Sequence, residues 1–267
     1  MTLNTKRDKW WIVTDIDGTL MDHDYDLTPA IPTIRWLQEL KIPIIPCTSK
    51  TASEVRLLRK DIDLHDPFIV ENGGAVYGNS ELDTKEWELI LGRSYKDLKA
   101  ILENISLEIG VKLKGLNDLS YEDIELLTGL KGNSIKLALA REWSVPFLNP
   151  TDEDRLNVNS IAGKYGCKIY QGNRMSHLLD ENSDKGKAVV KLKKYLNQTD
   201  AKIIALGDSP NDLPLLEIAD KAVVVPGVSG PNKTLVDNIK NQDLIIAPAP
   251  HSEGWAMSIK NLINSHI

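Results

Sequence analysis

With 267 residues the chain is long enough for one large domain or for two, and it can bury a substantial core. Hydrophobic residues make up 42% and charged residues 26%, which excludes an intrinsically disordered chain, and no apolar run approaches the roughly 20 residues of a membrane span. The formal net charge of −6 gives no reason to expect nucleic acid as a partner, and an anionic ligand would need local positive charge or a metal to offset this field.

Met1 to Lys9 is polar and lacks the apolar core of a signal peptide. Cys47 and Cys167 lie far apart and make no disulfide framework, so the cytoplasm is the expected compartment. The first apolar run, Trp10-Trp11-Ile12-Val13-Thr14, reads as a buried strand and ends in Asp15-Ile16-Asp17-Gly18-Thr19. Side chains on a strand repeat every two residues, so Asp15 and Asp17 project to the same side. Gly18 and Thr19 then turn the chain away, leaving both acids at the carboxyl end of the strand, where open α/β sheets bind ligands. Two carboxylates this close repel unless one is protonated or a cation lies between them. A hard cation with oxygen ligands, Mg2+ above all, is the expected resolution. The acidic run Asp22, Asp24 and Asp26 lacks the glycine and terminal glutamate of an EF-hand loop and reads as a solvated loop.

Thr28-Pro29 reads as an N-cap followed by proline at the first helical position. Ile31, Ile34, Leu37 and Leu40 give the spacing of a buried helix face. The strand-like Ile42-Pro43-Ile44-Ile45 leads to Pro46-Cys47-Thr48-Ser49-Lys50, which offers hydroxyls and an amine at a strand end, as phosphate recognition requires. A helix through Val55 to Arg59 follows, then the strand Phe68-Ile69-Val70. That strand ends in Glu71-Asn72-Gly73-Gly74, where Asn72 and Gly73 are candidates to line a site, and Val76-Tyr77 begins a small hairpin. Such alternation implies a parallel sheet with helices on both faces.

The middle of the chain reads differently. Ser94 with Asp97, Ser120 with Asp123 and Thr151 with Asp154 resemble capped helix starts, and Ser134 to Ala140 and Gly166 to Gln171 read as strands. This mixture suits an α+β layer. Residues 81–182 are therefore expected to form an inserted α+β cap, and residues 1–80 with 183–267 a doubly wound core. After the insertion come Asp184-Lys185-Gly186-Lys187, whose lysine could neutralise phosphate or the acid cluster, and the strand-like Ala201 to Leu206. Gly207-Asp208-Ser209-Pro210-Asn211-Asp212 then places two more acids at a strand end, ahead of a helical stretch from Leu213 to Ile218.

In this order the four clusters resemble the motifs of the haloacid dehalogenase superfamily: Asp-x-Asp-Gly-Thr, a Thr or Ser after a strand, a Lys, and Gly-Asp-x-x-Asn-Asp. Further stretches are similar to the mannosyl-3-phosphoglycerate phosphatase family within it. They are Cys47-Thr48-Ser49-Lys50-Thr51 with Glu54, Phe68 to Gly73, Arg141-Glu142-Trp143-Ser144-Val145-Pro146-Phe147, Gly172-Asn173-Arg174-Met175-Ser176-His177-Leu178 with Asp184-Lys185-Gly186, and Glu253-Gly254-Trp255.

The resemblance implies an α/β fold, a doubly wound parallel-sheet hydrolase core with an inserted α+β cap domain that can exclude water and read the leaving group. It implies Asp15 as nucleophile, Asp17 as general acid and base, and Mg2+ bound by Asp15, Asp17 (through its main-chain carbonyl) and Asp208. Thr48 and Lys185 would hold the phosphoryl oxygens, with Asn211 and Asp212 orienting from behind. Lys50, Asn72, Gly73, Arg174 and His177 are the candidate substrate contacts, Arg174 because a planar guanidinium suits a carboxylate. The expected activity is Mg2+-dependent hydrolysis of mannosyl- or glucosyl-3-phosphoglycerate. A different sugar-phosphate phosphatase, a phosphomannomutase-like phosphotransferase and a non-catalytic sugar-phosphate sensor are the alternatives. The expected partner is a phosphorylated small molecule, with neither nucleic acid nor membrane.

Overall fold

A computed structural model describes residues 9–22, 24–79, 86–172, 175–239 and 244–266. In chain order the elements are β1 (Trp10–Thr14), α1 (Ile31–Glu39), β2 (Ile44–Pro46), α2 (Ala52–Asp61), β3 (Phe68–Val70), β4 (Ala75–Asn79) and β5 (Glu86–Ile90). They continue with α3 (Tyr95–Ile109), α4 (Tyr121–Thr128), α5 (Asn133–Leu139), β6 (Val145–Leu148), α6 (Asp152–Lys164), β7 (Cys167–Gln171) and β8 (Met175–Asp180). The chain closes with α7 (Lys185–Tyr195), β9 (Lys202–Gly207), α8 (Leu213–Glu217), β10 (Lys221–Val224), α9 (Lys233–Asn238), β11 (Leu244–Ile246) and α10 (His251–His266).

Two compact units result, one from Met1–Cys47 with Val189–Ile267 and the other from Thr48–Ala188. The first unit is built on a five-stranded sheet in the order β11-β10-β9-β1-β2, every pair parallel. All of β1 and all but the first residue of β9 are buried. Because strand side chains alternate between faces, continuous burial means that both faces are covered, as in a doubly wound α/β fold. From β1 the chain winds outward to β2 on one side, whereas β9, β10 and β11 extend on the other. The strand order therefore reverses between β1 and β9, the place where such sheets open a crevice at their carboxyl ends. Their register sets Thr14 opposite Leu206, so both strands run out side by side.

The second unit contains two antiparallel three-stranded sheets, β3-β4-β5 and β6-β8-β7, and the expected insertion 81–182 lies within it. Its main core joins Leu98, Leu102 and Ile105 of α3 and Val158 and Ala162 of α6 to Val145, Phe147 and Leu178 of the β6-β8-β7 sheet. The spacing of three or four residues puts these on one face of each helix, and each fully buried Leu or Phe contributes about 1.5–3 kcal/mol. The three capped starts are present: Ser94, Ser120 and Thr151 each accept a hydrogen bond from the amide three residues on.

Three local expectations are corrected. Thr28 makes no side-chain cap; it begins a 3-10 turn, Thr28–Ala30, and α1 starts at Ile31. Ser134 to Ala140 is not a strand, since Asn133–Leu139 is helical with Ile135 and Ala138 buried. Its Leu, Lys and Ala are strong helix formers, and an apolar run this short has no decisive period of its own. Phe68–Val70, read with the parallel winding, pairs antiparallel with Ala75–Tyr77.

Candidate active site

The peptide after β1 carries the sheet ladder one residue further, because the Asp15 amide donates to the Leu206 carbonyl at 2.9 Å. The chain then closes on itself. The carbonyl of Ile16 accepts from the amides of Thr19 and Met21 at 3.3 and 2.9 Å, and the Gly18 amide donates to Met21 at 2.8 Å. Gly18 adopts φ +81°, in the region that only glycine enters freely. Asp15 is buried in this turn, and Asp17 is half-buried.

At the end of β9, Asp208 occupies the matching position. Oδ2 of Asp212 accepts from the amides of Asp208 and Ser209 at 3.0 and 3.1 Å and from the Ser209 hydroxyl at 3.4 Å. Asp212 is fully buried, so these bonds anchor the Asp208 backbone. The Thr19 hydroxyl reaches Oδ1 of Asp208 at 3.5 Å. One carboxylate oxygen each from Asp15, Asp208 and Asp212 lies within 4.8 Å of the others. Three acids so close, all offering hard oxygen donors, repel one another unless a cation joins them, and the set fits a divalent metal ion. The Asp17 carboxylate is not in this group, whereas Asp212, expected behind the ligands, is.

In the same turn as Asp208 and Asp212, Oδ1 of Asn211 accepts from the Ser209 hydroxyl at 2.5 Å, and the other expected residues belong to the second unit. The Thr48 carbonyl accepts from the Asn72 amide at 2.9 Å, and the Thr48 amide donates to Ile69 at 3.0 Å. Oγ1 of Thr48 accepts from the Lys50 amide at 3.2 Å, which leaves the hydroxyl proton to donate elsewhere. A Cβ on Gly73 would stand 2.2 Å from the Asp184 carbonyl oxygen, so Gly73 lets the turn lie directly against the start of α7. Thr48, Asn72, Gly73 and the fully buried Lys185 are thus brought together within this unit. Asp184 caps α7, its Oδ1 accepting from the Lys187 amide at 2.7 Å. Lys50 pairs instead with Glu54, at 3.7 Å.

Glu71 and Asn72 have left-handed backbones, with φ +49° and +56°. The buried Glu71 carboxylate holds this turn by accepting from the amides of Glu142 and Trp143 at 2.8 and 3.2 Å and from the Ser144 hydroxyl at 2.5 Å. Burial pushes its carboxyl above the ordinary range, against the opposing pull of Arg141 and these donors. Arg141 in turn donates to the carbonyls of Ala138 and Ser49 at 2.9 and 2.6 Å. His177, on β8 opposite Pro146 and Tyr170, has an enclosed Nδ1 with no partner among the described residues. Burial, aided by the charge of Arg141, pushes its pKa down to about 3, so the ring is neutral at ordinary pH. Arg174 lies outside the described residues.

Residues 12–113 and 152–239 match the family described as haloacid dehalogenase-like hydrolase. The chain belongs to that family. A glucosyl-3-phosphoglycerate/mannosyl-3-phosphoglycerate phosphatase of Persephonella marina is 35% identical over 95% of this chain and 97% of its own length. The enzyme of the same name from Methanococcoides burtonii is also 35% identical, over 96% of this chain and 97% of its own. A Thermoplasma acidophilum protein of known structure shares the fold, with a TM-score of 0.71 and 20% identity covering 96% of this chain and 99% of that one. This haloacid dehalogenase-like hydrolase is accordingly a phosphoric monoester hydrolase. No helix among its described residues is long and apolar enough to cross a membrane.

At the reversal of strand order the acid cluster offers carboxylate oxygens suited to a divalent cation. Three contributors are given no role by the motifs. Glu71 shapes the turn that carries Asn72 and Gly73, and its local signals are its place in the stretch Phe68 to Gly73 and a charge at the end of an apolar strand. His251 and Trp255 of α10 touch the Asp15 turn from the far end of the chain. The stretch Glu253-Gly254-Trp255 marks their neighbourhood but not their contacts.

Proposed function

We propose that this enzyme hydrolyses a glycosyl-3-phosphoglycerate, carrying mannose or glucose, to the glycosylglycerate and phosphate in the cytoplasm. The observation that carries this reading is the similarity to two phosphatases of that name along nearly the whole of each chain, including the segments between the four motifs. A carboxylate oxygen of Asp15 attacks phosphorus, the bond from phosphorus to the ester oxygen breaks, and Asp17 gives its proton to the departing alkoxide. Asp17 then takes a proton from water as the new hydroxide attacks phosphorus. The bond to Asp15 breaks, releasing inorganic phosphate and restoring both acids.

Mg2+ is the divalent ion we assign to the acids, with Asp15, Asp208 and the main-chain carbonyl of Asp17 as ligands. When bound it neutralises charge on the transferring phosphoryl group. Thr48 and Lys185 are assigned the phosphoryl oxygens, a role suited to a hydroxyl with its proton to give and to an ammonium. Asp212 sets the Asp208 backbone, and Asn211 supports it. Residues 81–182 serve as the substrate-reading cap; the candidate substrate contacts are Arg174 and His177 within it and Lys50, Asn72 and Gly73 outside it.

Purified protein assayed against both glycosyl-3-phosphoglycerates and a panel of sugar phosphates tests this reading. The glycosyl-3-phosphoglycerates should give the highest kcat/KM. A higher value for a simple hexose phosphate would overturn the substrate, and activity that requires a hexose bisphosphate would point to phosphoryl transfer between sugars. Arg174→Ala should cost about 2 kcal/mol on the full substrate, as for a charge-assisted hydrogen bond, and leave a small aryl phosphate unaffected.

A further inference from the structure

Helix α10 touches the Asp15 turn at both of its ends. Nε1 of the fully buried Trp255 donates to Oγ1 of Thr14 at 3.0 Å, and that hydroxyl passes its own proton to the carbonyl of Asp15 at 2.7 Å. One turn earlier on the same helix, Nδ1 of His251 lies 3.0 Å from the Gly18 carbonyl. The acceptor has no proton to give, so Nδ1 carries the hydrogen and donates. Positions 251 and 255 are four apart and share a face. The helix start is itself anchored, because the His251 amide donates to the Pro226 carbonyl at 3.1 Å just beyond β10.

We infer that α10 is a clamp on the nucleophile turn, in which Trp255, through Thr14, and His251 are positioning residues that fix the Asp15–Ile16 peptide between the two acids and the Gly18–Thr19 peptide just beyond Asp17. The two side chains act on carbonyls of the turn. Within the turn the Ile16 and Met21 carbonyls already accept main-chain amides, whereas those of Asp15 and Gly18 take their donors from α10, through the Thr14 hydroxyl in the first case. A carbonyl held in place fixes the plane of its peptide; at Asp15–Ile16 this sets the direction in which the Asp15 carboxylate leaves the backbone, and at Gly18–Thr19 it holds the closed turn that carries Asp17. In-line attack depends on that direction, since misplacement of a reacting group by about 1 Å can cost on the order of 100-fold in rate. Both act through the backbone of the turn. The role rests on Asp15 being the nucleophile.

The test compares His251→Ala with His251→Asn in the full-length enzyme. Asparagine places an N–H the same number of bonds from Cα as Nδ1 and accepts the left-handed backbone, φ +48°, of this position. With an aryl phosphate, which asks nothing of the sugar or glycerate contacts, His251→Ala should lower kcat about tenfold, as for one lost hydrogen bond to the reacting segment, with KM within about twofold. His251→Asn should recover most of the loss. Thr14→Val, which keeps the side-chain shape and removes the hydroxyl, should show the same split between kcat and KM.

Amide hydrogen exchange supplies a readout without turnover. Protection at Gly18 and Met21 should fall in His251→Ala and return in His251→Asn, with the midpoint of thermal unfolding unchanged. Wild-type kcat in His251→Ala, equal losses in the two His251 variants, or unchanged protection of the turn would overturn the clamp. Failure of the wild-type enzyme to hydrolyse the aryl phosphate would instead sink the assignment of Asp15, and the exchange comparison would still report on the clamp.

Discussion

A Cβ built on Gly18 would stand 2.6 Å from Oδ2 of Asp208. The turn after one strand and the acid at the end of its neighbour are therefore packed to contact, across the point where the strand order reverses. Gly18→Ala meets this obstruction and also the cost of a positive φ, which is about 1 kcal/mol for a residue with a Cβ. Asp208 must give way, and the acid cluster opens. We expect kcat/KM to fall by about 100-fold or more and the Mg2+ concentration for half-activity to rise. A metal titration beside thermal unfolding checks this. Wild-type metal dependence in a folded variant would show that the contact has no bearing on the site.

Asp15→Asn should abolish turnover in a protein that unfolds at the wild-type temperature. The amide keeps the shape but neither attacks phosphorus nor carries a full charge. Asp17→Asn should lose most activity and, with a good leaving group, accumulate phosphoenzyme, because the first displacement then needs no acid while the second still needs a base. Rapid quench with labelled substrate distinguishes the two. Identical behaviour of both variants would contradict the division of roles.

Removing divalent ions should eliminate activity and Mg2+ should restore it. Ca2+ should bind the same carboxylates and inhibit, since its larger and looser shell misplaces Asp15 relative to phosphorus. Activity that persists in excess chelator would contradict a metal-binding role for the group Asp15, Asp208 and Asp212.

His177, half-buried with its Nδ1 enclosed, predicts a pH dependence of stability. Its folded pKa of about 3 lies below the ordinary 6.5, chiefly through burial and further through Arg141. Between these values the unfolded chain binds a proton that the folded protein refuses. Stability contributed by the neutral ring is therefore complete above about pH 6.5 and falls as the pH drops toward about 3, by up to about 1.4 kcal/mol per unit. Urea unfolding across the acidic range should give His177→Gln a shallower slope than the wild-type protein. Parallel slopes would mean that His177 titrates normally in the folded state.

Much of this molecule was legible in short stretches of chain. Asp15 and Asp17 follow a strand whose period of two is local, and the caps at Ser94, Ser120 and Thr151 are completed by an amide three residues away. The acids, the buried lysine and the strand-end threonine could be named because each motif is contiguous. The helix at Asn133–Leu139 could not be read, since its buried Ile135 has meaning only against the core it joins, with Leu116, Ile124 and Met175.

By itself the sequence determined the nature of the chemical groups, the strand ends that bear them and the family to which the chain belongs. Only the tertiary structure decided that β1 neighbours β9, that Asp212 joins Asp15 and Asp208, and that α10 reaches back to Thr14 and Gly18 across separations of 241 and 233 residues. The reason is physical. A period or a cap is set by bonds within a few residues, whereas a metal seat depends on the register between strands and on side chains converging from segments that no local pattern relates.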